Sequence, residues 1–242
     1  MTLGKAFHGM MASLLVLGLS FAGAVSASAQ PSPERAARFV EGLGNQAVAL
    51  LASKEAKIPE KRQAALRDLI RNGFNLELTC QFVLGKYWNR ATTAQREEFQ
   101  ELFTEYLLNS YARRLGSFRA ETLTIVASHA VGSKDVLVET SVEGPDGPAN
   151  PVWRVRADDG QYKIIDVSID GVSLALTQRR EFASVVNRVG LEGLLEMLRE
   201  KLAVQAKEAR WAPSKRGTHV SLLASILASP NANKIGILLA RK

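Results

Sequence analysis

At 242 residues and a formal charge of +7, the chain is long enough for one sizeable core and basic enough to raise nucleic acid or an anionic membrane as partners. The charge distribution removes the electrostatic case for nucleic acid from the main domain: Gln30 to Leu202 holds 23 Lys/Arg against 23 Asp/Glu, while Ala203–Lys242 holds seven basic residues against Glu208 alone. One cysteine, Cys80, excludes an internal disulfide.

Residues 1–29 have the pattern of a secretory signal. Lys5 gives a basic start, Met10 to Ala24 is apolar, and Ala27-Ser28-Ala29 is an A-x-A site that predicts cleavage between Ala29 and Gln30. No cysteine lies near the cut, so no lipid anchor is implied. The domain proper is then expected over 30–202. Pro33 to about Ser53 has Phe39, Val40, Leu43, Ala47, Leu50 and Leu51 at helical spacing, weakened by Gly42 and Gly44. A second helix is expected from Ile58-Pro59 to about Arg71, with Ala65, Leu66, Leu69 and Ile70 inward and Asn72-Gly73 as its stop. A short helix follows over Leu76–Leu84, capped by Asn75 and stopped by Gly85, with Cys80 buried and inert on its apolar side. The next is expected to begin with Thr93 as its cap and to end near Gly116. Phe99, Leu102, Phe103, Tyr106, Leu107, Leu108, Tyr111 and Leu115 form its stripe.

After Gly116 the period changes from helical to two. Strands are expected at Glu121–Ser128, Lys134–Glu143, Pro151–Ala157 and Gln161–Asp170, joined by turn-rich connectors short enough for antiparallel pairing. Ile164 and Ile165 make the last strand apolar on both parities, which predicts a core crossing or a bulge. Asp170-Gly171 opens a turn, and Arg179 and Arg180 are expected to begin the helix beyond it. They are placed to pair with Asp166 or to hold a phosphate. Ala203–Lys242 is expected to continue the last helix and then to be loosely ordered. Its apolar runs, Val220–Ala228 and Ile235–Ala240, are too short to span a bilayer.

Two signatures stand out. The first is Leu84-Gly85-x-x-Trp88, with Gln95 seven residues on, then Phe99, Phe103, Leu107 and Tyr111 at intervals of four. The second runs through Lys163, Ile164, Asp166, Val167, Ile169, Gly171, Val172, Ser173 and Leu174 to Arg179 and Phe182. Together they resemble the MlaC family of periplasmic phospholipid carriers, also called the toluene-tolerance auxiliary component. The likeness extends from about Phe39 to Leu202 and includes a closing helix with Gly190, Leu194, Leu198 and Lys201. Tyr162 and Gln178 depart from the pattern, where Trp and an aromatic are usual.

The resemblance implies an α+β fold: an antiparallel sheet of four strands or slightly more, packed with about six helices around an apolar lipid cavity. The expected lining is Phe82, Val83, Trp88, Phe103, Tyr106 and Leu107 from the helices, with Val136, Val138, Trp153, Val155, Val167 and Ile169 from the sheet. A diacyl lipid needs such shelter, because each exposed CH2 costs about 0.8 kcal/mol in water. The implied partners are a phospholipid ligand, an outer-membrane lipid complex and an inner-membrane ABC-type complex, with no cofactor. A hopanoid ligand is the nearest alternative within the family.

Two further classes remain open at this level. One is an isomerase- or hydratase-like enzyme with Asp166 as base; the other is a module that docks on membrane complexes without a ligand. Ser173, His129 and Asp166 lack the G-x-S-x-G turn of a hydrolase, and His129 falls in a predicted turn. One Cys and one His in the main domain offer too few metal ligands.

Overall fold

The computed structural model describes residues 31–117, 122–143 and 148–211. The signal segment with its cut at Ala29/Gln30, and the apolar runs beyond residue 211, lie outside them. Ser32 starts the first helix, α1 (Pro33–Ala52): its hydroxyl accepts from the Arg35 N–H at 3.2 Å, and Pro33 sits in the first turn where no bond is lost. Helix α2 (Pro59–Gly73) and α3 (Leu76–Leu84) follow. Asn75 caps α3 through its side-chain oxygen, which accepts from the Leu78 N–H at 3.0 Å. A 3-10 stretch (Gly85–Arg90) leads to α4 (Thr93–Ser117). The cap of α4 is Thr92, not Thr93. Its hydroxyl accepts from the Gln95 N–H while the Gln95 side chain accepts from the Thr92 N–H, a reciprocal box that satisfies two donors at once.

Five antiparallel strands form one sheet in chain order: β1 (Thr122–Val131), β2 (Asp135–Glu143), β3 (Val152–Asp158), β4 (Gln161–Ile169) and β5 (Val172–Ser173). The fifth is too short to show a period, and β1 runs through His129, which is therefore an exposed strand residue rather than part of a turn. Asp159-Gly160 and Asp170-Gly171 take left-handed backbone at both tight hairpins. The double parity of β4 is a bulge: Arg154 pairs with Asp166 but Val155 pairs with Ile164, so Ile165 is the extra residue. The bulge lets Ile164 and Val167 both join the face that carries Val136, Val138 and Val155.

That face packs on Ala36 and Val40 of α1, making a sheet cluster. Helix α1 runs unbroken through its glycines. A Cβ at Gly44 would come 2.8 Å from Leu123 of β1, so the missing side chain is the room the strand occupies. A second cluster, between α2 and α4, centres on Leu66, Ile70, Leu108 and Ala112. The third and largest joins α3, α4 and the long α5 (Leu174–Trp211). Helix α5 begins well before Arg179. It breaks at Gly190 (φ 75°, ψ 176°), conformations that cost a side-chain-bearing residue steric strain. Past Leu202 it continues to lie along α4: Gln205 donates to Ser110 at 3.0 Å, and Arg113 pairs with Glu208 at 3.0 Å.

On the outer sheet face, Asp135 is buried beneath Arg154 and Arg156, at 2.6 Å from each. Burial pushes its carboxyl upward, but hydrogen bonds from Arg156 and Arg154 outweigh it and hold the group below its usual range. Asp135→Asn is expected to lower stability by about 1–3 kcal/mol, limited by the solvent that reaches Arg154. A depressed folded pKa stabilises above the unfolded value of about 3.9, and that contribution is lost as pH falls through the folded value. Acid titrations of the two proteins, followed by circular dichroism, should therefore converge at low pH; a constant gap throughout would contradict the ion pair's role.

Candidate functional site

The first signature is where α3 meets α5. Gly85 ends α3 at φ 58°, and the Arg179 guanidinium of α5 lies against it; a Cβ there would stand 2.9 Å from the guanidinium carbon. The same guanidinium lies over the Phe82 ring, 5.0 Å from its centre. Arg179 thus pairs with an aromatic ring, not with Asp166. Trp88 is fixed by Arg96, which donates to its carbonyl at 2.8 Å and covers its ring. Phe99, Phe103 and Phe182 pack in stacked and edge-on pairs with centres 5.2–5.8 Å apart. Tyr87 donates to Asn187 at 2.6 Å and ties the 3-10 stretch to α5.

The second signature is a strand–turn–helix latch. Asp166 accepts from the Ser173 hydroxyl at 2.5 Å, the Val167 N–H at 2.8 Å and the Ala175 N–H at 3.0 Å. Ser173 in turn accepts from the Leu176 N–H at 3.0 Å and caps α5. Asp170, four residues on from Asp166, sits in the hairpin turn with φ 50°. His129 lies 3.9 Å from Glu139 on the far strand, so Ser173 and Asp166 meet without it. Tyr162 has a different task from a wall residue: its hydroxyl accepts from the Ser32 N–H at 3.1 Å, and Arg35 lies over its ring. A Trp there has no oxygen to accept with.

The twelve residues expected to line a lipid site fall into two groups. Val83, Phe103 and Tyr106 belong to the helical cluster, with Trp88 and Leu107 packed on its edge. Val136, Val138 and Val155 belong to the sheet cluster, with Trp153 and Val167 on its edge. Phe82 is exposed, and Ile169 is buried outside all three clusters. Val136, Val138 and Val155 have no free surface, whereas Trp88, Leu107, Trp153 and Val167 are half-buried. The Trp153 indole donates to Thr140 at 2.9 Å, and Thr140 donates to the Pro151 carbonyl at 3.0 Å, so the polar atoms on this face are satisfied.

Phe74 belongs with this group and was hidden by its position after the Asn72-Gly73 stop, where it read as punctuation. It packs against both the sheet cluster and the α2–α4 cluster, as Leu107 packs against both helical clusters. The Asn75 N–H donates to the Ile164 carbonyl at 2.9 Å and fixes this joint to β4. Cys80 is buried, and burial pushes its thiol up to about 11, as an inert core cysteine requires. Among the described residues no group of three His, Cys, Asp or Glu is arranged to hold a metal ion, and no helix is long and apolar enough to cross a membrane.

With this geometry in hand, comparisons place the chain among known proteins. A family model described as MlaC protein matches residues 41–200, more than half of the chain. An intermembrane phospholipid transport system binding protein of Haemophilus influenzae is 25% identical over 145 residues, covering 56% of this chain and 67% of that one. A toluene tolerance protein of Pseudomonas putida is 28% identical over 106 residues, or 43% of this chain; the match spans about half of that protein's length (49%). Among solved structures, a phospholipid-binding protein of Ralstonia solanacearum, in complex with a phospholipid, aligns with a TM-score of 0.63 at 26% identity. The alignment covers 71% of this chain and 98% of that one.

Proposed function

This chain belongs to the MlaC family, and on that premise we propose that it is a periplasmic carrier of phospholipid, exported with loss of residues 1–29. The observation that carries this reading is the fold-wide likeness to the phospholipid-bound Ralstonia protein. Its partners on this reading are an outer-membrane lipid complex and an inner-membrane ABC-type complex, between which the lipid moves. Asp166 supports carriage over catalysis, since its carboxylate already accepts from three donors in the α5 latch.

The acyl chains enter where the three clusters meet, between Phe74 and Leu107 on the helical side and Trp153 and Val167 on the sheet. These keep apolar surface free. Val136, Val138 and Val155 are the packed wall behind them. Native mass spectrometry of protein taken from the periplasm, followed by lipid identification, tests the reading and separates phospholipid from hopanoid. Leu107→Trp is expected to lower the bound-lipid fraction while the protein stays folded. Val138→Trp overpacks the wall instead and should lower stability by about 1–3 kcal/mol before lipid is lost. Protein that is free of lipid as purified, and that takes none up from vesicles, would overturn the carrier reading.

A further inference from the structure

Strand β1 is an outer strand of the sheet, and among the described residues no main-chain hydrogen bond reaches its outer edge. The opposite edge is closed: β5 pairs with Ser168 and Ile169 of β4, and the Asn75 N–H donates to the Ile164 carbonyl at 2.9 Å. Free edges are ordinarily blunted by charge or Pro, or covered by another element. The ten residues of β1 include no Lys, Arg, Asp, Glu or Pro. Its bulge at Val126 interrupts the register with β2 but leaves Thr122–Ile125 regular. Beside that regular stretch is an apolar shelf. Leu123 and Ile125 are half-buried on the face that α1 covers, and Leu123 fills the room left at Gly44. Val48, one turn on from Gly44 and on the same side of α1, is half-buried too. Val126 ends the shelf at 63% exposure.

The chain itself supplies an occupant. Val220–Ala228 carries no charge and no Pro over nine residues. One parity, Val220, Leu222, Ala224, Ile226 and Ala228, is wholly apolar; the other includes Ser221 and Ser225. A strand of this pattern has one face for the shelf and one that tolerates water. The end of α5 brings the segment near. Arg113 and Glu208, 3.0 Å apart, set the last turns of α5 beside the last turns of α4, and α4 leads on to β1. The step from Ser117 to Thr122 spans at most about 18 Å, and residues 212–219 reach about 26 Å when extended. We propose that Val220–Ala228 joins the sheet as an added strand, running along Thr122–Ile125 of β1 in the same direction, with its apolar parity over the shelf. The covalent tether gives this segment a high effective concentration at the edge, which favours it over the same edge of a second copy.

The test is amide hydrogen exchange, read residue by residue by NMR on the full mature chain. The N–H groups of Thr122–Ile125 that point away from β2 should be protected in the wild type. Leu223→Pro and Ala224→Pro remove neighbouring N–H groups, which in a strand point to opposite sides. One of the two should therefore speed exchange of those outward groups by about tenfold, the order set by one main-chain hydrogen bond, and the other should leave them nearly unchanged. Exchange in β2 and β3 checks that the domain stays folded and should not change in either variant. Outward amides that exchange in the wild type as fast as those of a short peptide overturn the proposal. The same rates in both proline variants also overturn it, because a helix laid on the edge is broken by either and an unpaired segment by neither. Protection that fades on dilution, with a dimer in sedimentation, overturns it as well, by giving the edge to a second copy.

Discussion

Phe99→Ala is expected to destabilise the protein by about 3–5 kcal/mol, the range for removing a fully buried aromatic ring. Phe99 has no exposed surface and packs on Phe103 and, edge-on, on Phe182. It therefore joins α4 to the first half of α5, and the hole left by its ring cannot be refilled by either neighbour without breaking the other pair. Denaturant titration measures the loss, and the bound-lipid fraction should fall only as the protein unfolds. A folded Phe99→Ala protein emptied of lipid would place Phe99 in the lipid site and reverse the inward and outward sides of α4.

Asp166→Ala should cost about 3 kcal/mol. It removes a carboxylate that accepts from three donors and leaves the Val167 and Ala175 N–H groups without their partner. The first turn of α5 and the β4–β5 hairpin are expected to loosen together, seen as faster amide exchange from Val167 to Leu176. Asp166→Asn retains an acceptor oxygen and should lose less. The measurement also bears on chemistry: an Asp166→Asn protein of unchanged stability that had lost a turnover reaction would restore the general-base reading.

Much of the fold was legible because period and punctuation coincide with it. The alternation in Lys134–Glu143 and the stop at Gly85 each reflect a local rule that tertiary structure obeys. Ile164-Ile165 announced the bulge because no regular strand hides both parities. What was illegible depends on partners distant in sequence. Gly44 weakens a helix read alone, and only the approach of Leu123 explains it. Gly190 read as the start of a helix, since nothing local distinguishes a start from a break in a longer one. The candidate lining shows the same limit. Alternation tells that Val138 and Trp153 face inward, but α1 decides that one is sealed and the other keeps free surface.

The break at Gly190 has a consequence for how firmly the C-terminal part of α5 is held. A straight helix of 38 residues would extend about 57 Å, well past the body of a domain this size. The break instead returns residues 191–211 to α4, but no continuous hydrogen-bond ladder couples them to the latch at Asp166. Leu194, Leu195 and Leu198 hold this half from within. From without, Arg199 bridges Glu98, Glu192 and Glu196, all reached by solvent and open to screening. The half-helix is thus expected to open before the sheet does, with the loss of the contacts that Leu194, Leu195 and Leu198 make in the Phe99 cluster. Raising the salt concentration should speed hydrogen exchange there and leave β2 untouched.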